Sequence, residues 1–278
     1  MTTDIVILAA GKGTRMQSAI PKVLHPLASK PMLAHVLAAA DSVPQANKIV
    51  VTGHGATEVE KATAESGSTF VQQTEQLGTA HAVQMAVPYL REEARVLILY
   101  GDVPLIRPTT IDRLLTAVCD TTISLLTIQL DDPMGYGRIV RNAAGEIESI
   151  IEQKDASPDQ LKLTEVNTGV LAIGARQLMD WLPQINNNNA QGEYYLTDLI
   201  ALARANDYSI SSIKPASATE VEGVNNRVQL SQLEAPARRP ALVRPCDPGR
   251  VRAFPRPPDA PSPRSRFAPF GTLPLAIT

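Results

Sequence analysis

Short apolar runs alternate with amphipathic stretches through the first hundred residues. Residues 4–10 (DIVILAA) are almost wholly apolar and stop at Gly11-Lys12-Gly13, the pattern of a buried parallel strand entering a tight turn. In residues 31–40, Met32, Val36, Leu37 and Ala40 recur at helical spacing. Residues 48–52 form a second β-branched run, and a helical stretch follows Thr57. The pattern then predicts a short strand over 69–72 and a helix from about 78 to 90. Residues 95–100 (RVLILY) read as a central strand ending at Gly101-Asp102. From Thr122 the texture changes to short strands at close spacing (123–129, 137–141, 147–152 and 167–173), which predicts a more antiparallel part. Helices are expected near 175–182 and 196–206. Strands alternating with helices imply βαβ units, and hence an α/β fold with a mostly parallel sheet covered on both faces. There is no internal repeat.

Composition sharpens this picture at one end. The chain has 278 residues, 44% of them hydrophobic and 19% charged, which excludes wholesale disorder. The net charge of −2 hides a division. Residues 235–278 hold 11 of the 22 prolines and eight arginines, with only Asp247 and Asp259 against them and no lysine. This stretch lacks helical or strand periodicity. It reads as a non-folding tail, or as a basic arm or proline-rich ligand. The preceding 234 residues are acidic, which excludes a strongly basic nucleic-acid binder. No apolar run approaches the ~18 residues of a membrane span, and the start lacks the basic flank of a signal peptide. Cys119 and Cys246 form neither a disulfide framework nor a metal cluster, so a cytoplasmic address is expected.

The candidate chemistry lies where strands end. In open α/β sheets, ligands bind beyond the carboxyl ends of the strands, so the loops after Ala10 and Tyr100 should face one cleft. LAAGKGTRM (8–16) offers small residues that let backbone N–H groups approach phosphate, with Lys12 and Arg15 to neutralise charge. It is neither a dinucleotide fingerprint, which needs glycine where Met16 stands, nor a P-loop. By itself a Gly-Lys-Gly turn is also an ordinary βα connection. Pro21-Lys22 places a second lysine on a rigid segment. Asp102 suits Mg²⁺ shared with phosphate oxygens, or equally a turn. In QQTEQLGTAHA, Gln73, Gln76, Gly78 and Thr79 could meet a base edge or simply open a helix. Asn225-Asn226 could be ligands or a helix N-cap.

LAAGKGTRMQSAIPKVLH, EQLGTAHAV, LYGDVPL, DDPMGYGRI, EVNTGV, NNNAQGEYYLTD and VEGVNNR follow one another in order over residues 3–234. In these motifs the chain resembles the uridyltransferase half of the bacterial bifunctional N-acetylglucosamine-1-phosphate uridyltransferase/glucosamine-1-phosphate acetyltransferases. The opening motif is shared by many sugar-phosphate nucleotidyltransferases; QLGTAHA, GEYYLTD and EGVNNR are more specific. The resemblance implies a Rossmann-like, mostly parallel mixed sheet of the nucleotidyltransferase type over 1–224. It implies transfer of the uridylyl group of UTP to N-acetylglucosamine 1-phosphate, giving UDP-N-acetylglucosamine for cell-wall and lipopolysaccharide precursors, and pyrophosphate. By the family pattern Leu8, Ala9, Ala10 and Gly11 line the nucleotide, while Arg15 and Lys22 neutralise phosphates as the catalytic cations. Gln73, Gly78 and Thr79 meet uracil, and Tyr100, Gly101 and Asp102 form the sugar-nucleotide loop. Gly137, Glu152, Asn167 and Asn225 hold N-acetylglucosamine and ribose, and Asp102 and Asn225 bind Mg²⁺. Neither nucleic acid nor membrane is an implied partner.

The likeness ends with VNNRVQLSQLE, whose residues 225–234 are expected as the start of a connecting helix. The family continues into a β-helix of hexapeptide repeats that carries acetyl transfer and trimerisation. Residues 235–278 match neither, so acetyl transfer is expected to be absent and the family trimer is in doubt. An out-of-frame end would give such a composition. Other readings are a sugar-phosphate nucleotidyltransferase with a different nucleotide or sugar, and a non-catalytic regulatory protein on the same fold.

Overall fold

The computed structural model describes residues 1–238. The tail beyond Arg238, with Cys246 and every reading of its function, lies outside the described residues. In chain order the elements are β1 (Thr3–Ala9), a small hairpin of β2 (Pro26–Leu27) and β3 (Lys30–Pro31), α1 (Met32–Ala40), β4 (Asn47–Thr52), α2 (Ala56–Ala62) and β5 (Thr69–Gln72). Next come α3 (Thr79–Ala86), β6 (Arg95–Tyr100), α4 (Pro108–Ala117), β7 (Thr122–Gln129), β8 (Arg138–Arg141) and β9 (Ile147–Ile151). The last are β10 (Glu165–Gly174), α5 (Ala175–Trp181), α6 (Asp198–Ala205), β11 (Ser209–Ile213) and α7 (Arg227–Arg238).

One nine-stranded mixed sheet runs in the order β11-β7-β10-β6-β1-β4-β5, with β8 and β9 attached beside β10. Four of the six pairings along that path are parallel and two, both made by β10, are antiparallel. Consecutive side chains of a strand face opposite sides, and both sides are buried here, so β1, β4 and β6 are continuous apolar runs. Val6, Leu8, Ile49, Val51, Val96 and Ile98 pack on one face with Val83 of α3, Leu178 of α5 and Leu199 of α6. Ile5, Ile7, Val50, Leu97 and Leu99 pack on the other with Val36 of α1, Val59 of α2 and Leu114 of α4.

The chain leaves β1 for β4 and β5 on one side, then returns to β6 on the other. The carboxyl ends of β1 and β6 therefore flank the point where the winding reverses, which is where such sheets open a crevice. Because β10 runs antiparallel to β6, its first residues reach the same edge.

The antiparallel strands join the same sheet as the parallel ones, which is the mixed sheet that the resemblance implies. The structure departs from the sequence expectations in three places. The helix expected over 78–90 stops at Ala86 and continues as a 3₁₀ turn at Val87–Tyr89, where Pro88 supplies no N–H. The hairpin of β2 and β3, helix α4 and edge strand β11 had no predicted counterpart. Finally, α7 runs through Arg238 instead of ending near 234, with Pro236 in its last turn and Arg238 paired to Glu234.

Candidate functional site

Two adjoining cavities, of about 280 and 310 Å³, open at this edge and share Tyr100 and Asp102. The first is lined by Leu8, Ala9, Ala10 and Gly11 at the end of β1, by Lys22, and by Gln73, Gln76, Gly78 and Thr79 after β5. Glu193 reaches it from a distant loop. The second is lined by Arg15, Met134, Tyr136, Thr168, Asn225 and Gln229, among others. Gly101 lines neither. A side chain there would meet Val23, Leu33 and Ala9, and its N–H donates to the Leu8 carbonyl at 2.9 Å, which ties the ends of β6 and β1 together. Met16, in place of a third glycine, is 1% exposed and anchors the far end of the glycine loop against Leu27, Met32, Val224 and Leu233.

The charges meet where the cavities join. The Lys22 ammonium lies against the Asp102 carboxylate and donates to Asn225 Oδ1 at 3.1 Å, and the exposed Arg15 guanidinium donates to the same oxygen at 3.0 Å. Two cations from the first loop thus converge on one carboxylate and one amide oxygen more than 200 positions away in sequence. The Val224 N–H donates to the Asp102 carbonyl at 2.9 Å and fixes that meeting. Of the tandem asparagines, the second takes the cap role that the sequence left open. Asn226 caps α7, accepting from the Gln229 N–H at 2.9 Å, while Gln229 Oε1 accepts from the Asn225 N–H at 2.7 Å. Asn225, held by that cap, turns its side chain to Lys22 and Arg15.

Beyond the end of β5, Gln73 is 3% exposed, and its amide nitrogen donates to the Gly78 carbonyl at 3.1 Å. The 77–80 segment is laced to the GEYYLTD loop. Tyr194 N–H donates to Leu77 O at 2.8 Å, Ala80 N–H to Tyr194 O at 2.9 Å, and Leu196 N–H to Thr79 Oγ1 at 3.0 Å. Gly78, at φ +123°, makes this contact possible, since a Cβ there would lie 2.5 Å from the Tyr194 carbonyl oxygen. Thr79 opens α3, as one of its two sequence readings has it, and also lines the first cavity.

Gly137, Glu152 and Asn167 are brought together as a third group. Asn167 N–H donates to Gly137 O at 2.9 Å, and a Cβ on Gly137 would lie 3.4 Å from Glu152 Oε1. Glu152 accepts from the Thr197 hydroxyl at 3.2 Å. Burial raises the Glu152 carboxyl above the ordinary glutamate value; the Thr197 bond opposes this, while Asp155, Asp198 and Glu193 add repulsion. Tyr100 is pushed up as well, by burial and then by Glu152 and Asp102. Its ring rests on Gly169, whose φ of +86° leaves no room for a side chain: a Cβ would lie 2.6 Å from Tyr100 Cε2. Sequence reasoning missed Thr197, Tyr136 and Glu193. The first and last lie in GEYYLTD, and the signal that could have found them is that so specific a string contained no assigned residue.

The site's frame is shared with known proteins. Residues 5–161 match the family described as the MobA-like NTP transferase domain. The chain is 54% identical over 231 residues to the bifunctional protein GlmU of Cellvibrio japonicus, covering 83% of this chain and 51% of that protein. To GlmU of Azotobacter vinelandii it is 55% identical over 234 residues, 84% of this chain and 51% of the relative. The chain therefore spans about half the length of the curated relatives it matches. Among solved structures, a nucleotidyl transferase from Methanothermobacter thermautotrophicus superposes with a TM-score of 0.62 at 21% identity, over 85% of this chain and 97% of that one. A UDP-glucose pyrophosphorylase complexed with UDP-glucose gives 0.66 at 16% identity, over 85% and 98%. At such identities these two establish the fold alone. The match over residues 5–161 spans more than half of the chain, which thus belongs to the MobA-like NTP transferase domain family.

Proposed function

We propose that this chain transfers the uridylyl group of UTP to N-acetylglucosamine 1-phosphate, releasing pyrophosphate and supplying UDP-N-acetylglucosamine for cell-wall and lipopolysaccharide precursors in the cytoplasm. The observation that carries the reading is the convergence of Arg15, Lys22, Asp102 and Asn225 where the two cavities meet. The cavity beside the glycine loop would take the nucleotide, and the bond to be made would lie where the two cavities share Tyr100 and Asp102; Gly137, Glu152 and Asn167 line neither cavity. Identity above 50% with the GlmU relatives across this region supports the choice of substrates.

The sugar phosphate supplies the nucleophile, an oxygen that attacks the α-phosphorus as pyrophosphate leaves on the far side. That chemistry asks the protein for position and charge neutralisation rather than covalent work. Backbone N–H groups of the glycine loop, with Arg15 and Lys22, would hold the triphosphate and offset the charge growing on the leaving pyrophosphate. Gly137, Glu152 and Asn167 would hold the amino sugar. Asp102 and Asn225 would hold Mg²⁺, a hard cation satisfied by two protein oxygens together with phosphate and water. The fit rests on a stand-in, since both oxygens are already gathered round the Lys22 ammonium. When bound, the metal supplies Lewis-acid neutralisation of the phosphate oxygens.

A pyrophosphate-release assay tests this. Mg²⁺, UTP and N-acetylglucosamine 1-phosphate should give turnover that dTTP, CTP or glucose 1-phosphate do not match. Equal or better turnover with another pair would reassign the substrates, and none with any pair would favour a regulatory role on the same fold.

A further inference from the structure

Gln73 contributes an amide to the cavity, and an amide is ambiguous: turned one way it presents an acceptor to a base, turned the other way a donor. Uracil offers N3–H, a donor, whereas cytosine has a bare N3, an acceptor. The orientation of Gln73 therefore decides which pyrimidine it welcomes.

Two neighbours fix that orientation. The Gly78 carbonyl can only accept, so the amide nitrogen faces it, at 3.1 Å. The same nitrogen lies 3.0 Å from Nδ1 of His81, on the first turn of α3. Both amide hydrogens are thereby used, and Nδ1 must accept, which puts the imidazole proton on Nε2. Among the described residues Gln73 Oε1 has no protein hydrogen bond, and Gln73 lines the cavity. Reversing the amide would set its oxygen against the Gly78 carbonyl and would require the His81 proton to move from Nε2 to Nδ1, at a residue only 3% exposed, where unmatched polar groups are costly.

We infer that His81 is a positioning residue that locks the Gln73 amide with its oxygen toward the base, and so sets the preference for a pyrimidine with an N3–H over cytosine. The inference rests on the uridylyl-transfer reading and adds to it a residue that need not touch substrate. Thymine carries the same N3–H, so the lock does not separate UTP from dTTP.

Two measurements test it. The first is the ratio of kcat/KM for UTP to that for CTP in wild type, His81→Phe and His81→Asn. Phe keeps a ring and deletes the acceptor; Asn restores an acceptor near the Nδ1 position. Loss of one hydrogen bond should lower the ratio by roughly three- to tenfold in His81→Phe. His81→Asn should recover most of it, with the KM for N-acetylglucosamine 1-phosphate unchanged in both. An unchanged ratio in a folded His81→Phe, or an equal fall in both variants, overturns the inference. The second needs no substitution: ¹⁵N NMR of the wild-type imidazole at pH 8 should show an unprotonated Nδ1. A proton on Nδ1 overturns the lock even if His81→Phe fails to fold. Wild type that ignores UTP would sink the functional reading instead, and the NMR measurement would still decide the role of His81.

Discussion

Asp102 carries a formal charge where Lys22 and Asn225 meet, and Asn would keep its size while removing that charge. Asp102→Asn should lower kcat at least about 100-fold, the scale of lost charge stabilisation in the transition state. The thermal transition should barely move, because the carboxylate belongs to the cleft and not the core. Near-normal turnover at saturating Mg²⁺ would sink the assignment. Glu152, proposed to hold the amino sugar, is half-buried, accepts from the Thr197 hydroxyl and lies beside Gly137, and burial raises its carboxyl. Glu152→Ala should raise the KM for the sugar phosphate by the equivalent of about 1–3 kcal/mol, with a smaller change for UTP. Equal rises would indicate general damage.

Among the elements, β1 carries stability at one end and chemistry at the other. Asp4, near its start, is fully buried; it accepts from Arg91 Nε and from the Arg91 N–H, both at 2.7 Å. Arg91→Ala keeps the backbone N–H bond but strips the buried carboxylate of its guanidinium partner. It should destabilise by about 1–3 kcal/mol in denaturant titration, without changing either KM, since the cleft lies past the opposite end of the strand. The apolar elements of this sheet were legible because burial on both faces writes itself as RVLILY or DIVILA. Strand β11 was not, because SISSI lies at a sheet edge where serine can face water, and its place depends on pairing with β7. Helix α4 was within reach of periodicity: Ile111, Leu114 and Leu115 recur at helical spacing. In the site, the glycine loop, Asp102 and Asn225 could be read from local motifs. The Gln73 orientation, the Thr197 contact and the packing of Met16 could not, since each is decided by residues brought from elsewhere in the chain.

For the whole molecule, acid should unpick one network on the sheet. Glu165 accepts from Arg141 Nε and Nη2 at 2.8 Å, from Lys214 and from Thr127, and these bonds, Arg141 foremost, pull its carboxyl down to about 2 from 4.5. A depressed folded-state pKa means that the stabilisation is complete above 4.5 and is lost as pH falls toward about 2. Glu165→Gln should thus be less stable than wild type at neutral pH, by no more than about 1 kcal/mol given partial exposure, and the gap should close with acidification. A gap that holds constant with pH would place the effect in packing. A last consequence concerns the order in which the chain is made. The Val224 N–H bond to the Asp102 carbonyl and the Asn225 contacts to Lys22 and Arg15 join the opening loop to a segment more than 200 positions later. A nascent chain halted at residue 220 would already hold every strand of the sheet, yet lack Asn225, half of the proposed metal site, and the Asn226 cap of the helix that steadies it. On the proposed function, catalytic competence would arrive as a late closure, and an amino-terminal fragment of this length should fold while turning over nothing.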